Sequence, residues 1–164
     1  GRLGVVGVQQ VVNMRVKRPL VAVEDAPFDE VAALIFAQRV FVVVVIEPVC
    51  QFAGAEAELF TAAEFDGGKM DEFDAVAFGC PAMGAEELED GEFAPMFETC
   101  ESKLSGKKIA LFGSYGWGDG EWMRTWEENC RDKGANLVCD SVICQETPDD
   151  EALSACRSLG EALA

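Results

Sequence analysis

Apolar positions in the second part of the chain fall into short runs that alternate with helically spaced sets. Residues 55–60 (AEAELF) read as a short strand, and residues 74–78 (DAVAF) as an apolar strand that ends at Gly79. In residues 85–104 the apolar side chains Phe93, Met96, Phe97, Cys100 and Leu104 recur at helical spacing. Gly91 and Pro95 place the start of that helix near Pro95, a tolerated first-turn position, and Ser105-Gly106 ends it. Residues 108–112 (KIALF) predict a further strand. Residues 120–133 carry Trp122, Met123, Trp126 and Cys130 on one helical face with charges opposite, and Gly134 stops them. Residues 136–144 predict a last strand. Pro148-Asp149-Asp150 opens a last helix through Leu153, Cys156, Leu159 and Leu163. Strands alternating with helices at this rhythm predict an α/β fold with a parallel sheet and helices on both faces. Ligands in such sheets bind at the carboxyl ends of strands, which directs attention to the segments after Phe78 and Phe112.

Those two segments are the most informative in the chain. After Phe78 comes Gly79-Cys80-Pro81-Ala82-Met83-Gly84-Ala85-Glu86-Glu87-Leu88. After Phe112 comes Gly113-Ser114-Tyr115-Gly116-Trp117-Gly118-Asp119-Gly120. Glycine lets a ligand approach the main chain, and Tyr115 and Trp117 offer flat apolar faces. Together they describe a pocket for a planar aromatic ring with backbone hydrogen bonding. The plainer alternative is a surface turn whose aromatics fold back onto the sheet.

Composition divides the chain near residue 53. Residues 1–53 hold 15 valines, whereas residues 54–164 hold only Val76, Val138 and Val142. The net charge of −17 lies entirely in the second part, because five basic and five acidic residues cancel in the first. Such a break marks a boundary. Residues 1–53 are an atypical Val-rich segment, and residues 54–164 are a domain. Residues 20–23, 28–38 and 40–46 of the first part could form strand–helix–strand. The favoured reading is instead that residues 1–53 are not native coding sequence, as a shifted frame or mis-joined gene start would produce.

The acidity disfavours nucleic acid and anionic membranes and favours basic partners. The longest apolar run, residues 40–46, is far short of a membrane span, and the start of the chain lacks the order of a signal peptide. Seven cysteines without a CxxC motif, and no histidine, argue against a disulfide scaffold and a zinc site. Thiols of that kind suit a reducing cytoplasm.

The strings CPAMGAEELED and ALFGSYGWGDGEWM resemble the two flavin-clasping loops of short-chain anaerobe flavodoxins, and the resemblance runs over about residues 54–164. It implies a three-layer, doubly wound sheet of strand order 2-1-3-4-5. It also implies one non-covalent flavin mononucleotide (FMN), single-electron transfer at low potential rather than enzymatic turnover, and a monomeric cytoplasmic protein that meets redox enzymes through basic docking surfaces. Pro81, Ala82, Met83, Gly84 and Glu86 would line the ring from one loop, and Ser114, Tyr115, Gly116, Trp117 and Gly118 from the other. By the same resemblance Met83 and Trp117 would cover the two ring faces. The Gly84 carbonyl would turn toward ring N5 on reduction, and Glu86 would accept from ring N3–H. Glu86, Glu87, Glu89, Asp90 and Asp119 would raise the cost of an anionic reduced ring, with Glu89 and Asp90 more simply read as a solvated face.

One part of the pattern is missing. The family holds the FMN phosphate in a Ser/Thr- and Gly-rich loop at a helix N-terminus after the first strand. Here no Gly occurs between Gly7 and Gly54, and no Ser or Thr before Thr61. The expected position, about one helix upstream of Ala55, reads FDEVAALIF behind the acidic turn Glu24-Asp25-Ala26-Pro27. That gap favours one alternative, a cofactor-free interaction module of the same fold. A separate alternative is an FMN-dependent reductase of related fold, against which the short loops favour a carrier.

Overall fold

A computed structural model describes residues 2–7, 11–15, 56–146 and 148–164. The segments expected at residues 20–23, 28–38 and 40–46 lie outside the described residues. The described elements are β1 (Arg2–Gly7), β2 (Val11–Arg15), β3 (Glu56–Thr61), β4 (Ala75–Gly79), α1 (Phe93–Glu101), β5 (Lys108–Tyr115), α2 (Glu121–Asp132), β6 (Asn136–Leu137), β7 (Val142–Gln145) and α3 (Asp150–Leu163). Two short 3₁₀ turns, Ala62–Glu64 and Lys69–Glu72, connect β3 to β4.

The strands form one sheet in the order β2-β3-β1-β4-β5-β6, with β7 also on β5. β1 runs parallel to β4 in the register Leu3↔Ala75 through Gly7↔Gly79. β4 runs parallel to β5, from Ala75↔Lys108 to Gly79↔Phe112. The parallel strands β3, β1, β4, β5 and then β6 and β7 thus realise the expected order, with residues 2–7 supplying the central strand. β2 is an addition to it: it turns back antiparallel against β1 and also pairs antiparallel with β3.

The sheet carries different side chains on its two faces, as alternation requires. Val76, Phe78, Ile109 and Leu111 join Phe93, Phe97, Cys100, Trp122, Trp126 and Cys130 of α1 and α2 in one apolar cluster. Phe93 and Phe97 meet the Trp126 ring edge-on, each at 5.4 Å. The small Ala75, Ala77 and Ala110 face the other way, and α3 packs there on β4, β5 and β7 through Ala152, Cys156 and Leu159. The result is the three-layer doubly wound arrangement. Among the described residues no helix is long and apolar enough to cross a membrane.

Three expected elements differ in detail. β5 runs on to Tyr115, three residues beyond the expected end at Phe112, because Gly113, Ser114 and Tyr115 continue the pairing with β7. α1 starts at Phe93, not Pro95, so Pro95 is its third residue. That position costs nothing, because the first N–H groups of a helix have no internal acceptor. The strand expected over residues 136–144 is split. From Ile109↔Leu137 to Phe112↔Val142, three steps on β5 face five on the segment beside it. The excess leaves the ladder between β6 and β7.

Candidate functional site

The loops after β4 and β5 lie side by side at the carboxyl edge of the sheet, fastened by backbone bonds. Cys80 N–H donates to Phe112 O at 3.1 Å, and Ala82 N–H donates to Ser114 O at 2.9 Å. Trp122, buried at the start of α2, adds a third tie by donating from Nε1 to Cys80 O at 3.2 Å.

The first loop then makes a tight turn. Met83 and Glu87 exchange N–H···O bonds of 2.9 Å in both directions, closing Gly84-Ala85-Glu86 between them. Two of those three residues sit at positive φ, Gly84 at 51° and Glu86 at 58°. Glycine adopts that region freely, whereas Glu86 needs a reason to be there. Its side chain supplies one: Oε1 accepts from Gly120 N–H and Glu121 N–H, both at 3.0 Å. These are the first donors at the N-terminus of α2, where a carboxylate is favoured. Glu86 therefore pins the first loop to the second.

The second loop passes close to that anchor. Gly118 has φ 87°, and a Cβ there would lie 2.5 and 2.7 Å from the two carboxylate oxygens of Glu86. Its backbone is held from the outer strand as well. Glu146 N–H donates to Tyr115 O at 2.8 Å, and Gln145 Nε2 donates to Gly116 O at 3.3 Å.

Of the ten residues expected to line a ring, eight lie in these two adjoining loops, and Ser114 and Tyr115 form the end of β5 that leads into the second. Met83 is 39% exposed and Trp117 62% exposed, and with Ile143 they are the large exposed apolar side chains among the described residues. Tyr115 differs: its ring leans on buried Trp122 at 5.5 Å, so the alternative of an aromatic folded back toward the protein describes Tyr115 and not Trp117. Pro81 and Ala82 are half-buried at the loop base, and Ser114 is paired within the sheet opposite Cys144.

The carboxylates separate by role. Glu89 turns away to cap α1, accepting from Gly91, Glu92 and Phe93 N–H at 2.7, 2.9 and 2.8 Å. The Phe93 and then Glu92 donors hold it below the usual carboxylate range. Asp119 pairs with Arg124 at 2.7 Å. Cys80 accepts from Glu89 N–H at 3.3 Å, and burial pushes its thiol up to about 12, so it is no nucleophile at neutral pH. Sequence reasoning had not singled out Cys80, Trp122, Gln145 or the Gly120–Glu121 donors. Nothing in the string GDGEW marks its N–H groups as the partner of Glu86.

A doubly wound sheet with two exposed apolar side chains and pinned, Gly-rich backbone at its strand ends defines an α/β protein built to hold a planar ring. The flavodoxin family model matches residues 49–160. The flavodoxin of Megasphaera elsdenii is 43% identical over 122 residues, covering 73% of this chain and 85% of that protein. That of Clostridium beijerinckii is 50% identical over 91 residues, covering 56% of this chain and 65% of that protein. The solution structure of two-electron reduced Megasphaera elsdenii flavodoxin superposes with a TM-score of 0.68 at 40% identity, over 74% of this chain and 87% of that one. The chain belongs to the flavodoxin family, whose members are FMN-binding electron carriers and not enzymes. That membership sets aside the interaction-module and reductase readings.

The residues present fit the ring of that cofactor: two apolar side chains stand uncovered beside a turn whose Gly84 Cβ position has open space around it. They do not show a holder for its phosphate. Among the described residues, β1 ends at Gly7 and is followed by antiparallel β2 from Val11, with no helix N-terminus described between β1 and β3.

Proposed function

We propose that this chain is a low-potential one-electron carrier whose flavin ring lies between Met83 and Trp117, and that it docks on redox enzymes through basic surfaces. The single observation that carries the reading is the pair of exposed apolar side chains on two loops pinned together by Glu86. The bound flavin supplies the electron chemistry; the chain's own residues bind, orient and exclude water. Met83 and Trp117 are placed to cover ring faces, gaining contact area that water now occupies. Glu86, held through Oε1, has Oε2 for a ring N–H. Pro81, Ala82 and Ser114 set the loop spacing. The backbone of Tyr115, Gly116 and Gly118 would line the ring's polar edge.

Gly84 is the adjustable element. Its neighbouring peptide can turn at little cost because glycine occupies both signs of φ, and the space beside it is open. The low potential follows from charge. Glu86 and Glu87 disfavour added negative charge on the ring, and Met83 and Trp117 keep out the water that would screen it. Glu89 and Asp119, engaged with α1 and Arg124, contribute less. The acidic surface also favours a monomer and encounter with cationic partners, and the free cysteines suit a reducing cytoplasm.

The test is an FMN titration of the purified chain, followed by Trp fluorescence and then by stepwise reductive titration. Saturable one-to-one quenching and two separated one-electron steps are expected. No quenching, or steady NAD(P)H oxidation by the chain alone, would overturn the reading.

A further inference from the structure

The carbonyls that open the second loop are held from outside it, and that decides where its N–H groups point. We infer that Gln145, on the outer strand β7, is a positioning residue for the flavin ring. By holding Gly116 O it turns the Trp117 N–H toward the cleft between the two loops, beside the Gly116 N–H. The inference rests on the proposed ring site and concerns what orders its polar edge.

Peptide planarity carries the first step. In a trans peptide the C=O and the N–H of the next residue point in opposite directions. At the end of β5 the carbonyls alternate: Ser114 O accepts from Ala82 N–H of the first loop, and Tyr115 O accepts from Glu146 N–H just past β7. The Gly116 N–H therefore points away from β7 and toward the first loop. Continued as a strand, the chain would send Gly116 O toward the first loop as well. Instead Gly116 O accepts from Gln145 Nε2 at 3.3 Å, on the β7 side. Two successive carbonyls thus face outward, and the two successive N–H groups of Gly116 and Trp117 face the other way.

The same rule is visible further along the loop. Asp119 O accepts from Arg124 Nη1 at 2.9 Å, and the N–H of the same peptide, that of Gly120, donates to the Glu86 carboxylate at 3.0 Å. Both ends of that peptide have partners. In the 115–116 and 116–117 peptides the carbonyl ends have them, whereas the N–H ends have no acceptor among the described residues. Neighbouring N–H groups on one side of the backbone form a concave donor pair, which favours an acceptor or added negative charge.

Glycine makes an outside tie necessary. Gly116 has open space where a Cβ would stand, and Gly118 at φ 87° follows, so the backbone does not by itself fix the 116–117 peptide. The Gln145 amide can fix it, because its NH2 end donates and a carbonyl only accepts. The neighbouring tie is built at some cost. Glu146 stands at φ 55°, a region that residues other than glycine rarely occupy, and from there its N–H reaches Tyr115 O at 2.8 Å. The end of β7 is thus a third element of the site, behind the second loop. Glu86 and Glu87 disfavour added charge on the ring, and the donor pair that Gln145 orders is their counterweight.

The experiment compares the full chain with its Gln145→Met and Gln145→Glu variants, which keep the length of the side chain and remove the donor. Each is titrated with FMN by fluorescence, then reduced stepwise for its two potentials, and its urea midpoint and flavin-free amide NMR spectrum are recorded. For Gln145→Met, FMN binding should weaken by about twofold to tenfold, the range that one neutral hydrogen bond implies. The second one-electron step should move to lower potential, and the Gly116 and Trp117 amide resonances should shift in the flavin-free chain. The urea midpoint should stay in place, because Gln145 is exposed. Met brings no charge, so its effect on the potential is not its own field. Gln145→Glu should act in the same direction and more strongly, since a carboxylate facing Gly116 O repels it. An unmoved second step in Gln145→Met, whatever the affinity or the urea midpoint, would overturn the inference and leave the electron-carrier reading intact. No FMN binding by the unsubstituted chain would remove the ring site itself, and both conclusions with it.

Discussion

Gly118→Ala tests the joint between the two loops. The glycine stands at φ 87°, and an added Cβ would come within 2.5 and 2.7 Å of the Glu86 carboxylate oxygens. Two costs follow. Holding an L-residue in left-handed backbone costs about 1–2 kcal/mol. The carboxylate must also swing away, and it is the flexible end of a side chain, so the steric part alone is small. What it loses are two charge-assisted hydrogen bonds of 3.0 Å to Gly120 and Glu121 N–H. Such bonds contribute about 1.5–3 kcal/mol each when buried, but Glu86 is half-buried and water recovers part, leaving about 1–2 kcal/mol for the pair. The single substitution should then cost about 2–4 kcal/mol.

The decisive assay is a double-mutant cycle by urea denaturation, with Gly118→Ala made in the wild-type and Glu86→Ala backgrounds. Once Glu86 is truncated only the backbone term remains, so the coupling should be about 1–2 kcal/mol. A coupling below about 0.3 kcal/mol, the additivity seen for independent sites, would refute the idea that Glu86 and Gly118 form one joint.

Trp117→Ala should weaken flavin binding by about tenfold to thirtyfold, as loss of an aromatic face implies. Its effect on urea stability should stay within about 0.5 kcal/mol, the range for an exposed position; unmoved affinity in the flavin titration would remove it from the ring site. Gly84→Val, a branched residue forced to φ 51° in otherwise open space, should change the separation between the two one-electron reduction potentials measured by spectroelectrochemistry, and an unchanged separation would exclude the peptide turn. Glu89 binds three N–H donors as a carboxylate and has a lowered pKa, so its stabilising effect is present above the ordinary Glu value near 4.3 and disappears as pH falls through the folded value. Glu89→Gln should flatten the acid limb of the stability–pH profile over that window; an identical limb would deny the cap. Cys80, with its thiol near 12, should react with iodoacetamide at neutral pH only on unfolding, which mass spectrometry of the labelled peptide would reveal.

What the sequence disclosed depended on which interactions are local. The helices after residue 90 were legible because their start and stop signals lie within a few residues, as with Asp149, whose carboxylate accepts from Ala152 N–H at 2.8 Å. The two strand-end loops stood out because glycines and aromatics are unusual side by side. The break between β6 and β7 was not, since it arises from a mismatch in length against β5. Nor was the partner of Glu86, which comes from backbone N–H groups that carry no residue signature.

The central strand is the most instructive miss. Reasoning outward from Ala55 placed the phosphate loop about one helix upstream, with residues 20–23 as a strand before it, by the usual size of a helix and its turns. The chain instead draws β1 from residues 2–7, where RLGVVG offers only two adjacent valines between glycines. β4, buried at every position from Ala75 to Gly79, leaves a row of main-chain donors and acceptors that must be paired on both sides. Any extended segment that reaches this edge satisfies them, so the demand comes from β4 and not from the pattern of β1. Backbone pairing asks little of side chains, whereas a phosphate site asks for particular ones. That asymmetry explains how residues 2–7 can complete the sheet from a segment whose sequence carries no Ser or Thr for a phosphate loop.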